Sequence, residues 1–155
     1  MRIVQPDKES LTMIDNRTAP YAAFVLRAAL GVMFIAHALL KYSVFTLPGT
    51  AKFFESLGLP GPLAYLTFAA ELIGGALILA GLGTRWVALA LVPVLLGATW
   101  VHAGNGWLFT APNGGWEYPA FLAVAAITQA LLGDGKFALA NLLSATRLQS
   151  LKGVA

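Results

Sequence analysis

"LRAALGVMFIAHALLKY", residues 26–42, is an almost unbroken apolar run that also carries Arg27, His37 and Lys41. Basic side chains enter such a run for one of two reasons. Either the segment is a soluble helix with a polar face, or it is a membrane helix whose charges face an enclosed interior. With a helical advance of about 100° per residue, the three basic residues fall within an arc of about 80°, alongside Leu30 and Phe34. In a bilayer that stripe faces protein, because ionisable groups turned toward lipid are costly. Snorkelling is the alternative for the end residues, Arg27 toward one interface and Lys41 toward the other. It does not account for His37.

Composition decides for the membrane. The 155 residues are 58% hydrophobic and 11% charged, with a mean hydropathy of +0.74. A soluble domain is about 45–50% apolar and about 25% charged, so a soluble chain of this kind would be poorly solvated. Three further apolar segments follow the first: 63–83 with Glu71 inside, 86–103 ending at His102, and 118–133 just after Glu117. A spanning helix needs about 20 residues, within about 17–25. The first two segments are long enough, the third is adequate, and the fourth is short unless it starts near Trp116. Segments two to four are apolar all round, where a soluble helix would show a polar face.

The expected fold is therefore all-α: an up-down four-helix transmembrane bundle. A short amphipathic segment is expected between helices one and two, where Phe53, Phe54 and Leu57 accompany Lys52 and Glu55. Residues 1–20 read as a polar cytoplasmic tail, since they lack the apolar core of a signal peptide. Residues 21–138 read as the membrane domain and 139–155 as a cytoplasmic C-terminal tail. With both termini cytoplasmic, seven basic residues (Arg2, Lys8, Arg17, Arg85, Lys136, Arg147, Lys152) lie inside, against Lys52 and Lys41 opposite. That bias is the positive-inside pattern. Trp107, Trp116 and Tyr118, in the outer loop 104–119, suit the headgroup level.

Going outward and inward along such a bundle, His37, Lys41, Glu71, His102 and Glu117 all reach the outer half, and they are expected to line one polar pocket. A carboxylate as deep as Glu71 is either protonated or paired with a base, and His37 and Lys41 are the bases at its depth. The rival reading is a hydrogen-bonded network that fixes helix register. No metal is expected, because no His or Glu pair has a ligand spacing such as HxxxH or ExxH. With no cysteine, the chain has no disulfide, thiolate or CxxC chemistry of its own. A net charge of +3, with Lys and Arg scattered, gives no nucleic-acid footprint.

"LRAALGVMFIAHALLKY", "AELIGGALILAGLGTRWVAL" and "GGWEYP" together resemble the DoxX family of small bacterial and archaeal four-helix membrane proteins. The resemblance spans roughly residues 24–138. The family's recurring positions correspond to Arg27, Gly31, His37, Lys41, Glu71, Gly74, Gly75, Gly81, Arg85, His102, Trp116, Glu117 and Tyr118. This chain has His37-Ala38 where the family commonly has His-Gly. The family takes its name from a subunit of a thiosulfate:quinone oxidoreductase, and other members are associated with membrane oxidoreductase complexes and oxidative stress.

The resemblance implies a multi-pass protein of the cytoplasmic membrane, associated with redox chemistry. A quinone would enter from the outer leaflet, meet His37, Lys41 or His102 as hydrogen-bond donors to its carbonyls, and find proton relays in Glu71 and Glu117. Arg27 joins this candidate set from the inner end of the same stripe. Without an electron carrier of its own, the chain would need a soluble or membrane redox partner subunit, and it could self-associate. The rival class is a non-enzymatic scaffold or a small-solute, proton-coupled carrier.

Overall fold

The computed structural model describes residues 15–144, and within them the chain is helical, with no strand. Helix α1 covers Ala19–Ser43, α2 Leu47–Ser56, α3 Pro62–Ala80, α4 Thr84–His102 and α5 Glu117–Leu132. A 3-10 turn over Ala103–Asn105 extends α4. Helices α1, α3 and extended α4 are long and apolar enough to cross a membrane. The 16 residues of α5 are fewer. At about 1.5 Å per residue it reaches about 24 Å, short of a hydrocarbon core of about 30 Å. The sequence motifs Pro20, Pro48 and Pro62 fall in the first turns of α1, α2 and α3, where a missing N–H costs nothing.

The four long helices form two tight pairs, α1 on α3 and α4 on α5, which meet each other more thinly. The α1–α3 seam depends on small residues. A Cβ on Gly75 would lie 2.9 Å from Phe34 Cβ and 3.0 Å from the Gly31 carbonyl. A Cβ on Gly31 would come within 2.9 Å of the Leu79 amide nitrogen. Glycine lets these backbones touch, as membrane helices require when lipid offers no hydrophobic drive to associate. The second pair meets α3 where Gly74 receives the Leu91 side chain. Just beyond that contact α4 carries Pro93, which removes one backbone hydrogen bond and crowds the preceding turn.

Arg27 closes the end of the bundle opposite α2. It is 1% exposed, so it does not snorkel. Its Nη1 donates to the Ile78 and Leu79 carbonyls at 3.1 and 2.8 Å, and its Nη2 to the Lys136 and Phe137 carbonyls at 3.2 and 3.3 Å. These include the Leu79 carbonyl, among the last of α3, while the Ile78 carbonyl also accepts the Gly81 N–H. Gly81, with φ 72°, ends α3 in the left-handed conformation, where a Cβ would strike Arg27 and Ala138. At the same end the Asp134 carboxylate accepts the Thr84 N–H at 3.0 Å and caps α4. The segment after α5 folds back here, with Lys136 N–H bonded to the Pro20 carbonyl.

The amphipathic segment expected between the first two spans is α2. Its N-cap, Thr46, holds φ 59°, a strained conformation for a β-branched residue, and its Oγ1 accepts the Gly49 N–H. The outer ends of the expected tails, residues 1–14 and 145–155, lie outside the described residues, and so do Arg2, Lys8, Arg147 and Lys152.

Replacing Gly75 by Leu is expected to force α1 from α3 and lower the unfolding temperature in mild detergent clearly, by the about 1–3 kcal/mol or more typical of overpacking. Gly97 has nothing within 4 Å of its Cβ position. Gly97→Ala should leave the unfolding temperature unchanged or raise it, since glycine inside a helix costs about 0.5–1 kcal/mol relative to Ala.

Candidate functional site

Where α3 and α4 part beyond Gly74 and Leu91, a cavity of about 1020 Å³ opens toward the α2 end. Residues at helical spacing supply its walls: Leu63, Leu66, Thr67 and Ala70 from α3, and Pro93, Val94, Gly97 and Val101 from α4. Thr50, Phe53 and Phe54 of α2 cover its end. Leu63, Leu66, Pro93, Gly97 and Trp100 line the cavity and are also exposed, so its side is open between α3 and α4.

An ion pair and one imidazole of this apolar space share a wall, and its other polar side chains, Thr50, Thr67, His102 and Tyr118, are spread around the lining. Lys41 Nζ donates to both oxygens of Glu71, at 2.9 and 2.6 Å, with the side chains 18% and 8% exposed. Lys41 is thus the base that the buried carboxylate takes. His37, one turn earlier on α1, lies on the same wall, and its ring stacks on Tyr118 at 5.9 Å and 24°. His37 Nδ1 sits 2.8 Å from the Met33 carbonyl. His102, at the end of α4, reaches the cavity rim, with Nδ1 3.1 and 3.0 Å from the carbonyls of Asn113 and Gly114.

The structure therefore brings His37, Lys41, Glu71 and His102 to one cavity. Arg27 and Glu117, grouped with them from the sequence, stand elsewhere. Arg27 spends four hydrogen bonds on backbone carbonyls at the far end of the bundle. Glu117 turns into the loop before α5, where its Oε1 accepts the Phe109 N–H at 3.0 Å. With Trp107, Phe109 and Phe121 it lines a separate groove of about 510 Å³.

Tyr118 is the residue that the sequence reading left out of the pocket. It lines both the cavity and the groove, and its hydroxyl is enclosed with no partner among the described residues. The signal was present in "GGWEYP": the residue after Glu117 points about 100° away around the helix, so where one faces the loop the other can face the bundle. The described residues contain no group of three or more His, Cys, Asp or Glu arranged to hold a metal.

Residues 22–104 match the DoxX family. A protein of Bacillus subtilis (strain 168) with the name "Putative oxidoreductase CatD" is 40% identical over 83 residues, covering 54% of this chain and 60% of that protein. The chain thus spans about 60% of the length of this curated relative. No solved structure matches.

Removing one partner of a buried ion pair typically costs about 3–5 kcal/mol, because the other charge is left without compensation. Glu71→Ala is therefore expected to lower thermal stability in detergent far more than Glu55→Ala, which alters an exposed carboxylate. The double variant Lys41→Met/Glu71→Leu should recover much of the loss. Equal small losses for Glu71→Ala and Glu55→Ala would show that the pair carries no stability.

Proposed function

The chain belongs to the DoxX family of membrane proteins, and from that premise we propose that it is a redox-associated protein holding a quinone-type molecule in the cavity between α3, α4 and α1. One observation carries this reading: an apolar space open sideways between two spanning helices ends at His37 and the Lys41–Glu71 pair. A lipid-soluble ring with a long apolar tail has this division of character. The name of the Bacillus subtilis relative points to the same class of chemistry.

The residues fit such a molecule. The apolar walls accept ring and tail, and the imidazoles of His37 and His102 offer hydrogen-bonding nitrogens at the rim. When bound, the quinone would supply the electron- and proton-carrying couple that a cysteine-free chain lacks. Glu71, neutralised by Lys41, lies where it can pass a proton between the wall and the cavity. Electrons would come from or go to a soluble or membrane partner subunit, and a second copy of the chain is a further candidate neighbour.

The protein would sit in the cytoplasmic membrane with both termini inside. Arg17, Arg85 and Lys136 lie toward the end opposite α2, and Lys52 lies on α2. On this topology the side opening of the cavity faces the outer half of the bilayer.

Single cysteines at Ser10, Asn113 and Ser150 test the orientation in intact cells, since the chain has no other thiol. A membrane-impermeant thiol reagent should label only Asn113→Cys. Binding is tested by titrating a short-chain quinone and its hydroquinone into nanodiscs holding wild type, His37→Ala or His102→Ala. Loss of affinity for one form or both in each variant, with helicity retained, is the expected result, whereas saturable binding of both forms unchanged in both variants would remove this cavity from the reading. Absence of binding to wild type would favour the scaffold or carrier class. A long-tailed analogue adds a further check: Gly97→Leu, filling open space at the side of the cavity, should weaken it more than the short-chain compound.

A further inference from the structure

Histidine can accept or donate, and which it does is set by what the other ring nitrogen meets. His37 Nδ1 lies 2.8 Å from the Met33 carbonyl. A carbonyl oxygen can only accept, so Nδ1 carries the proton and donates it. In the neutral ring Nε2 is then a bare lone pair. Nε2 makes no hydrogen bond to a protein group among the described residues, and His37 lines the cavity.

His102 repeats the arrangement. Its Nδ1 faces two acceptors, the carbonyls of Asn113 at 3.1 Å and Gly114 at 3.0 Å. Asn105 Nδ2, 3.4 Å from the same nitrogen, is occupied in donating to these carbonyls at 3.2 and 2.9 Å. Nε2 of His102 is again an acceptor at the cavity rim.

Most other donors on the lining are already engaged. Lys41 spends two of its three N–H groups on the oxygens of Glu71, and the Thr50 hydroxyl donates to the Thr46 carbonyl. The Tyr118 hydroxyl, enclosed and without a partner among the described residues, can play either part, as can Thr67. The cavity is thus equipped to receive hydrogen bonds more than to give them. A bare carbonyl ligand finds few donors there, while a hydroxyl finds two waiting lone pairs.

We propose that the cavity selects the hydroxyl-bearing, reduced form of its ligand, a lipophilic hydroquinone or similar phenol, with one hydroxyl donating to His37 Nε2 and His102 as a second acceptor. The assignment rests on the quinone-type reading of the cavity and names the form that it holds. His37 has a further part as a positioning surface, because its stacked contact with Tyr118 fixes the ring plane from which Nε2 projects.

Two measurements on the full chain in nanodiscs test this. In protein labelled with ¹⁵N-histidine, the couplings between ring nitrogens and carbon-bound protons should identify both histidines as Nδ1–H tautomers. Anaerobic titration should then give a short-chain hydroquinone roughly tenfold tighter binding than its dimethyl ether or its quinone, the scale of one well-made hydrogen bond. Adding the hydroquinone, and not the ether, should shift the His37 Nε2 resonance. His37→Phe, which keeps an aromatic ring beside Tyr118, should erase the preference. Nε2–H tautomers, or a quinone or ether bound as tightly as the hydroquinone, would overturn this assignment while leaving the quinone-type reading in place. Failure of all three compounds to bind would overturn both.

Discussion

The backbone contact between Gly31 on α1 and Gly75 on α3 is the constraint from which the arrangement follows. With Cβ atoms absent, the two helices approach until the Gly31 carbonyl lies 3.0 Å from where a Gly75 Cβ would be. That separation sets the register of everything along the seam. One end brings Arg27 under the last carbonyls of α3, and the other brings Lys41 onto Glu71. Neither polar interaction could form across a wider seam, because each joins a side chain to a partner in fixed position on the opposite helix. Polar bonds inside a membrane are modest individually, so close packing has to bring them together.

The cavity is the counterpart of that tight pairing. Helices α1 and α3 are satisfied by each other, as α4 and α5 are, and the pairs meet more thinly, with Gly74 against Leu91 and His37 against Tyr118 among their contacts. Pro93 follows that contact and loosens the backbone of α4 where the two pairs separate. The small residues Gly97 and Ala98 then leave the gap unfilled. Helix α2 lies across one end of the space with Phe53 and Phe54 in its lining, so the side between α3 and α4 is the wide opening.

Some of this could be read directly from the residues. A lone carboxylate in the middle of an apolar segment demands a base, and Lys41 and His37 were the bases at its depth. The spanning segments were equally legible, since continuous apolar stretches leave little alternative. Depth, however, does not give direction. Glu117 has the depth of the pocket but projects into the loop, while its neighbour Tyr118 faces the bundle. Arg27 was harder still. Its partners are backbone carbonyls, which every residue carries, so nothing in the residue types marked where four of them would converge. The tautomers of His37 and His102 were hidden for the same reason. By residue type either ring can serve as a donor, and only the Met33, Asn113 and Gly114 carbonyls turn their free nitrogens into acceptors.

A cleft open to lipid does not stand empty, and this changes what its walls can do. Acyl chains occupy it whenever a ligand does not, and they are as apolar as the leucines they touch. A ligand's tail therefore exchanges one apolar neighbour for another and gains little affinity from the large wall. Discrimination falls to the few polar atoms at the end of the space. Lys41 and Glu71 neutralise each other there, so the site carries no unopposed charge that would draw ions or lipid headgroups indiscriminately. Among what remains unpaired is the lone pair on each histidine ring. A molecule that matches it with a hydroxyl gains a bond that no hydrocarbon chain in the cleft can replace.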